Sequence, residues 1–157
     1  MKKKNKRLRR IILFIMVIIA SVLIMLASYV LQQNKHLMTY QKSLAKLPEV
    51  DQVLEISEYS GMESYYVAKV LLTTDLEYYY FIKDDIVEYS YPVTDLMTAQ
   101  QAVKHALASH QGTVTHYYLG IYDEKPVYEV EISSTRGEEY VIVDAQSGDI
   151  VLQFVIN

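Results

Sequence analysis

The segment TAQQAVKHALASHQG (residues 98–112) decides the fold class, because it predicts a helix that lies between strand-like segments. The helix is expected over about 99–111. Thr98 is a good N-cap, and Gln101 follows three residues later as the second half of a capping box. Gly112 is suited to end the helix in a left-handed conformation. The apolar face of this helix consists of Ala99, Ala102, Val103, Ala106 and Leu107.

The period of the apolar residues changes from helical to alternating after this segment. Apolar and polar residues alternate in YEVEIS (128–133), and apolar positions with a period of two return in YVIV (140–143) and IVLQFVI (150–156). The stretches TRG (135–137) and QSGD (146–149) supply the turns between these strands. A helix followed by antiparallel strands predicts an α+β fold.

The part of the chain that precedes this unit has the same plan. A helix is predicted over about 32–47, and alternating strands follow it. Tyr128 lies 62 residues after Tyr66, and other strand positions show the same offset. The sequence therefore predicts two tandem units, residues 32–93 and 94–157, each with a helix packed on an antiparallel sheet.

An uncharged apolar segment, residues 11–31, predicts a transmembrane helix. Its length of about 31 Å, at about 1.5 Å per residue, is enough to cross a bilayer core. Residues 1–10 contain seven Lys and Arg and no acid, and the nearest cation after the segment is Lys35. This asymmetry predicts a cytoplasmic N-terminus and a C-terminal domain outside the cell. The alternative is a signal peptide, although the apolar run is long and Ala27 and Ser28 make a weak cleavage site.

The charge of the remaining chain limits its partners. Residues 32–157 contain eight of the 15 Lys and Arg and all 19 Asp and Glu, a net charge of −11. Such a domain is repelled by nucleic acid and by anionic lipid, whereas a protein partner or a basic ligand suits it. The alternative is that the charge only keeps the domain soluble. The absence of Cys excludes disulfides, thiolate zinc sites and cysteine nucleophiles.

No catalytic, cofactor-binding or metal-binding residue is predicted. His105 and His110 lie five apart on the predicted helix, whereas zinc-binding helices use a spacing of four. The acidic pairs 84–85, 123–124 and 138–139 lie at expected strand ends, which favours solvated turns over acid–base or calcium sites. The sequence contains no nucleophile elbow, phosphate loop or Rossmann glycine pattern. We therefore expect that the protein is not an enzyme.

The fifteen tyrosines are the most informative residues. Strand alternation predicts that one group faces the helices and fills the cores: Tyr66, Tyr78, Tyr80, Tyr128 and Tyr140. The opposite face of the second unit is then predicted to be charged, with Glu129, Glu131 and Glu139.

The opposite face of the first unit is predicted to be apolar and aromatic instead. Aromatic residues on an exposed sheet face suit protein recognition. The predicted partner-binding residues are Tyr65, Val67, Leu71, Tyr79 and Phe81. The alternative, which has equal weight, is that this face packs against the second unit.

Residues 98–157 resemble a PepSY domain in the motifs TAQQAVKHAL, YEVEI and YVIVDAQSGDIV. The order of basic start, apolar anchor, Tyr-rich first unit and terminal PepSY unit is similar to that of the YpmB/TseB family of low-GC Gram-positive bacteria. This resemblance implies an N-terminal transmembrane helix followed by two tandem cystatin-like units.

The resemblance also implies a function. It suggests a non-enzymatic regulator of peptidoglycan synthesis, cell-wall elongation and cell shape, which binds a membrane-bound penicillin-binding transpeptidase outside the membrane. PepSY domains also occur as inhibitory segments of secreted proteases, so the alternative is an inhibitor of an extracytoplasmic protease or hydrolase. A third hypothesis is a ligand sensor, but the basic N-terminal tail leaves little room for a cytoplasmic output. No cofactor and no nucleic-acid partner are expected.

Overall fold

The computed structural model describes the backbone of residues 2–156 and the side chains of residues 12–29, 35 and 37–156. The chain divides into two compact units, Met1–Thr39 and Tyr40–Asn157. The helices are α1 (Lys2–Leu44) and α2 (Ala99–Leu107), with a short 3-10 helix at Val93–Asp95. The strands are β1 (Val50–Ser60), β2 (Ser64–Leu72), β3 (Glu77–Lys83), β4 (Ile86–Pro92), β5 (Thr113–Tyr122), β6 (Lys125–Ser134), β7 (Gly137–Asp144) and β8 (Ile150–Ile156).

The first unit contains one stretch of α1 that is long and apolar enough to cross a membrane. This stretch, Ile12–Tyr29, has a mean hydropathy of 2.8, and none of its residues is buried. The hydroxyls of Ser21 and Ser28 donate to the carbonyls of Val17 and Ile24, one turn earlier, so the helix satisfies its own polar groups. These properties fit a membrane anchor, and an N-terminal signal sequence shares them. The orientation across the membrane stays a prediction.

The strands β1–β4 form an antiparallel sheet in chain order, and residues from the end of α1 cover one of its faces. Leu44 is buried against Ala68 and Val70, which alternate along β2 on that face. The Tyr40 and Tyr66 rings add a second contact, with their centroids 4.2 Å apart. Tyr40 and Leu44, which belong to the helix predicted over about 32–47, therefore help to form the core beneath the first sheet.

The strands β5–β8 form a second antiparallel sheet in chain order, and α2 covers one of its faces. Ala102 and Ala106 are fully buried among Val130 and Val141, because alanine lets the helix approach the sheet closely. The predicted α+β class, a helix on an antiparallel sheet twice over, is confirmed. The predicted boundaries of the two tandem units stay a prediction, and both sheets lie within the compact unit Tyr40–Asn157.

The predicted capping box is present at the start of α2. The Thr98 N–H donates to Gln101 Oε1 (2.8 Å), and the Gln101 N–H donates to Thr98 Oγ1 (3.3 Å). We expect Thr98→Ala to lower the free energy of unfolding by about 1 kcal/mol, because a helix N–H then loses its acceptor. Urea unfolding measures this change. The control is Thr94→Ala, since the exposed Thr94 hydroxyl donates to a side chain instead, and an equal loss in both variants would contradict the role of the cap.

The predicted face assignment along β7 is wrong by one residue. Tyr140 pairs with Glu131, and Val141 pairs with Val130, so Val141 faces α2 and Tyr140 faces away from it. In YVIV, the set Tyr140 and Ile142 and the set Val141 and Val143 are both apolar. The pattern alone therefore does not show which set faces the helix. Tyr140 therefore does not belong to the core beneath α2, in contrast to Tyr128.

Glu139 lies on the α2 side as a consequence, and it is buried instead of belonging to a charged outer face. Its side chain is 2% exposed, and Arg136 Nη2 donates to its Oε2 at 2.8 Å. The Ser134 hydroxyl donates to the same carboxylate. This hydroxyl and then the guanidinium hold the pKa of Glu139 below its usual range. The buried charge is therefore paired and hydrogen-bonded, which is the condition for tolerating it.

Candidate functional site

The aromatic face of the first sheet lies in the interior of the compact unit Tyr40–Asn157. Of the predicted partner-binding residues, three are buried (Tyr65, Val67 and Phe81) and two are half-buried (Leu71 and Tyr79). The three buried residues form one cluster with Ile121 of β5, and Leu119 packs against it. The expectation that this face is exposed is therefore wrong for Tyr65, Val67 and Phe81, and the packing alternative describes them.

The burial of this face has a physical reason. Each Phe or Tyr side chain offers about 150–250 Å² of surface, and burying it stabilises the fold by about 1.5–3 kcal/mol. Phe81 also lies edge-on to Tyr91, with the ring centroids 5.9 Å apart. The cover comes from β5, which is an edge strand of the second sheet. The contact thus also protects that edge against pairing with another chain.

A second contact between the sheets involves Tyr59, which the sequence analysis did not single out. Its ring is buried over Gly120 of β5, where an added Cβ would lie 2.3 Å from ring carbons. Its hydroxyl donates to Glu129 Oε2 at 3.1 Å. Burial and then the nearby Glu129 carboxylate raise the pKa of Tyr59, and burial raises the pKa of Glu129. Tyr59 therefore joins the two sheets through both its ring and its hydroxyl.

The exposed aromatic surface lies on the second sheet, on the side opposite α2. We call this surface the outer face. Its aromatic and aliphatic residues are Tyr118, Tyr140, the buried Ile142, Leu152, Phe154 and Ile156, and Glu129 and Glu131 of β6 lie on the same face between Tyr118 and Tyr140. Phe154 is 43% exposed, and its ring stacks on Tyr140 with the centroids 5.1 Å apart. Tyr118 and Ile156 are also exposed. Exposed aromatic rings thus lie on the second sheet, beside Glu129 and Glu131, which are two of the three glutamates predicted for this face.

A groove of about 310 Å³ separates the outer face from the β1–β2 turn. We call it the apolar groove. Its walls on the sheet side include Tyr140, Leu152 and Phe154, and Met62 lies on the turn side. Met62 is 78% exposed, and a flexible thioether side chain adapts readily to a partner surface. Glu129 also lines this groove, so one carboxylate borders the apolar walls.

A larger groove of about 600 Å³ begins on the other side of the same turn. We call it the acidic groove, because four carboxylates and one ammonium group line it: Glu63, Glu88, Asp123, Glu124 and Lys83. The two grooves share Met62 and Tyr122 as lining residues, so they meet at these side chains.

Contacts within the acidic groove leave it negatively charged. The Tyr65 hydroxyl lies 2.7 Å from Glu88 Oε2 and 3.0 Å from Glu63 Oε2, although it has only one proton to donate. Lys83 Nζ lies 2.8 Å from the same Glu63 oxygen. Burial and then these carboxylates raise the pKa of Tyr65. Lys83 is thus engaged by Glu63, and the other carboxylates of the groove have no cation among its lining residues.

Two of the three acidic pairs occupy turns, whereas the solvated turn predicted for residues 138–139 is wrong, because both residues lie in β7 and Glu139 is buried. Asp84, Asp85, Asp123 and Glu124 all have positive φ angles, between 48° and 64°, in the two-residue turns of the β3–β4 and β5–β6 hairpins. Within the described part of the chain, no group of three or more His, Asp or Glu side chains is arranged to hold a metal ion. The geometry thus offers surfaces and grooves for binding.

Comparison with known proteins agrees with this organisation. Residues 96–153 match the PepSY family model, described as "Peptidase propeptide and YPEB domain". The fold is similar to that of the YpmB protein from Bacillus subtilis, with a TM-score of 0.67 and 16% sequence identity over 76% of this chain and 96% of that chain. These two findings bear out the resemblance that the sequence predicts.

Two further comparisons add little. A lipoprotein from Clostridium difficile 630 aligns over 80% of this chain and 91% of its own, with 18% identity and a TM-score of 0.41, which is too low to support an argument. No curated protein matches the sequence.

Proposed function

We propose that this chain, a PepSY-containing protein with the fold of YpmB, is a membrane-anchored regulator of cell-wall elongation that binds a penicillin-binding transpeptidase. In this proposal α1 anchors the protein in the cell membrane, with its N-terminus in the cytoplasm and both sheets outside. The protein catalyses no reaction itself. It adjusts the level or the activity of the transpeptidase, and hence peptidoglycan synthesis and cell shape, through a steady contact.

The outer face of the second sheet is the observation that carries this proposal. It combines exposed aromatic rings with aliphatic side chains beside a groove, and such residues dominate the energetic centres of protein interfaces. Exposed aromatic and aliphatic side chains beside a groove, rimmed by charged residues such as Glu129 and Glu131, are typical of interaction sites. The net charge of −11 over residues 32–157 also favours a protein over nucleic acid or anionic lipid.

The choice of a transpeptidase as the partner rests on the family resemblance. It is supported by the apolar stretch Ile12–Tyr29, which would bring the protein to the surface where membrane-bound wall synthases work. The contacts at the acidic pairs support a non-enzymatic role, because the pairs 84–85 and 123–124 form hairpin turns and Glu139 is bound to Arg136.

A second candidate function is inhibition of an extracytoplasmic protease or hydrolase. One observation favours it: the matching family model is described as a peptidase propeptide domain, and it covers the sheet that carries the outer face. In this case the outer face would occupy the cleft of an enzyme instead of docking on a synthase.

Site-specific crosslinking in cells distinguishes the two functions. A photoreactive phenylalanine analogue replaces Phe154, and the captured protein is tested with a fluorescent penicillin, which labels transpeptidases covalently. We expect a labelled adduct from this position. The control position is Val155, which is 44% exposed on the same strand but points to the opposite side of the sheet.

The outcomes are clear-cut. We expect at least about fivefold less capture from position 155, because its side chain does not reach a partner on the outer face. An adduct at position 154 that is a protease would support the second candidate. Equal capture from both positions, or none, would contradict an interaction through the outer face.

A further inference from the structure

The apolar groove and the acidic groove lie side by side along the β1–β2 turn, and they offer opposite chemistry. The first is walled by Phe154, Tyr140 and Leu152, whereas the second is lined by four carboxylates. Met62, whose side chain is exposed, and Tyr122, whose ring is half-buried, line both grooves. A ligand that runs past Met62 would therefore meet an apolar wall on one side and a negative potential on the other.

We propose that the two grooves form one docking channel for an extended segment of a partner protein that carries Lys or Arg next to apolar residues. This inference rests on the proposed function, because it specifies the chemistry of the partner segment that the protein recognises. The cationic residues enter the acidic groove and the apolar residues lie against Phe154.

Charge complementarity selects this occupant over others. Lys83 is bound to Glu63, so Asp123 and Glu124 line the acidic groove without a cation from its walls. A partner ammonium or guanidinium group there gains charge-assisted contacts with several carboxylates at once. An acidic segment, such as one from a second copy of this −11 domain, would be repelled.

The shape of the channel selects an extended segment. It passes between a hairpin turn and the face of a sheet, a narrow space that a single extended chain can follow along its length. Met62 itself can rearrange to fit different apolar side chains, because its thioether chain is flexible. The channel therefore specifies charge order and apolar character rather than one exact sequence.

Fluorescence polarisation with a synthetic probe tests the proposal. The full chain is held in nanodiscs of phosphatidylcholine, a lipid without net charge, and the probe is fluorescein-labelled Lys-Arg-Ser-Leu-Val-Phe-Val. Two comparison probes replace the cations by Glu or replace the apolar residues by Ser. We expect the first probe to bind at least about tenfold more tightly than either comparison probe, since each loses one half of the complementarity.

Matched variants locate the binding site. Phe154→Ser and Met62→Ser are each expected to weaken binding at least about fivefold, whereas Val155→Ser changes it less than about twofold. Asp123→Asn should weaken binding and its salt dependence, whereas Asp75→Asn should leave both unchanged. Asp75 is a suitable control because it is exposed in another turn with a positive φ of 61°. Met62 is 78% exposed, so its variant tests the channel without disturbing the core.

Four results would overturn the inference: no binding of the first probe, tighter binding of the acidic probe, equal losses in Phe154→Ser and Val155→Ser, or no loss in Asp123→Asn. Because the probe is synthetic, its failure to bind counts against the cationic and apolar preference. The failure of Phe154 to capture any partner in cells counts instead against the proposed function, so the two failures are distinguishable.

Discussion

Replacement of Phe81 by Ala is expected to lower the free energy of unfolding by about 3–5 kcal/mol, the range for large aromatic side chains in cores. Phe81 is 0% exposed, and it packs with Val67 and Ile121 where the first sheet meets β5. Removing the ring leaves a cavity that neither sheet can close without moving the other. Urea unfolding of the full chain in nanodiscs, followed by tyrosine fluorescence, measures the loss.

Phe154→Ala is the control for this prediction. It removes the same side chain from the outer face, where the ring is 43% exposed, so we expect a loss below about 1.5 kcal/mol. A similar loss in both variants would contradict the assignment of one aromatic face to the interior and the other to the surface. Among the variants that remain folded, we expect partner capture to fall more for Phe154→Ala than for Phe81→Ala.

Gly120→Ala is expected to cost about 3 kcal/mol, at the upper end for overpacked cores. The added Cβ would lie 2.3 Å from carbons of the Tyr59 ring. That ring cannot move aside easily, because it is buried and its hydroxyl is bonded to Glu129. Gly61 lies against the hydroxyl end of Tyr59, so the ring cannot move toward Gly61 either. The same unfolding experiment measures the effect.

A double-mutant cycle identifies the cause of this loss. In a Tyr59→Ala background the ring is absent, so the additional cost of Gly120→Ala should fall below about 1 kcal/mol. If the cost stayed the same in that background, the effect would come from the strand conformation at Gly120 rather than from its contact with Tyr59.

The start of α2 and the fold class could be predicted from the sequence because their signals are local. The predicted end of the helix near 111, with a left-handed Gly112, is wrong, because α2 ends at Leu107 and Gly112 does not have a positive φ. The capping box of Thr98 and Gln101 joins residues three apart, and the apolar face of α2 repeats within two turns. The change to alternating residues announces the strands in the same local way.

The register of the last two strands could not be predicted, because a bulge in β8 breaks the regular alternation of faces. Val143 pairs with Ile150 and Ile142 pairs with Leu152, so β8 has an extra residue at this point. This bulge leaves Ile150 beneath α2 and puts Leu152 and Phe154 on the outer face. Strict alternation places all three on one side and therefore misses the exposed surface.

The burial of Tyr65 and Phe81 was also outside the reach of a pattern. Alternation shows that the first sheet has two apolar faces, but it does not say what covers the second one. The cover, Ile121, lies far along the chain in another sheet. The close approach at Gly120 gives no signal either, since a glycine within a strand has several interpretations.

The dependence of the first sheet on β5 has a consequence for synthesis of the chain. The first sheet is complete at Pro92, but β5 begins only at Thr113. A nascent chain that ends between these points has made its first sheet without the strand that covers Phe81. Uncovered aromatic surface of this kind makes intermediates prone to aggregate. A fragment that stops before β5 is therefore an incomplete protein rather than a smaller one.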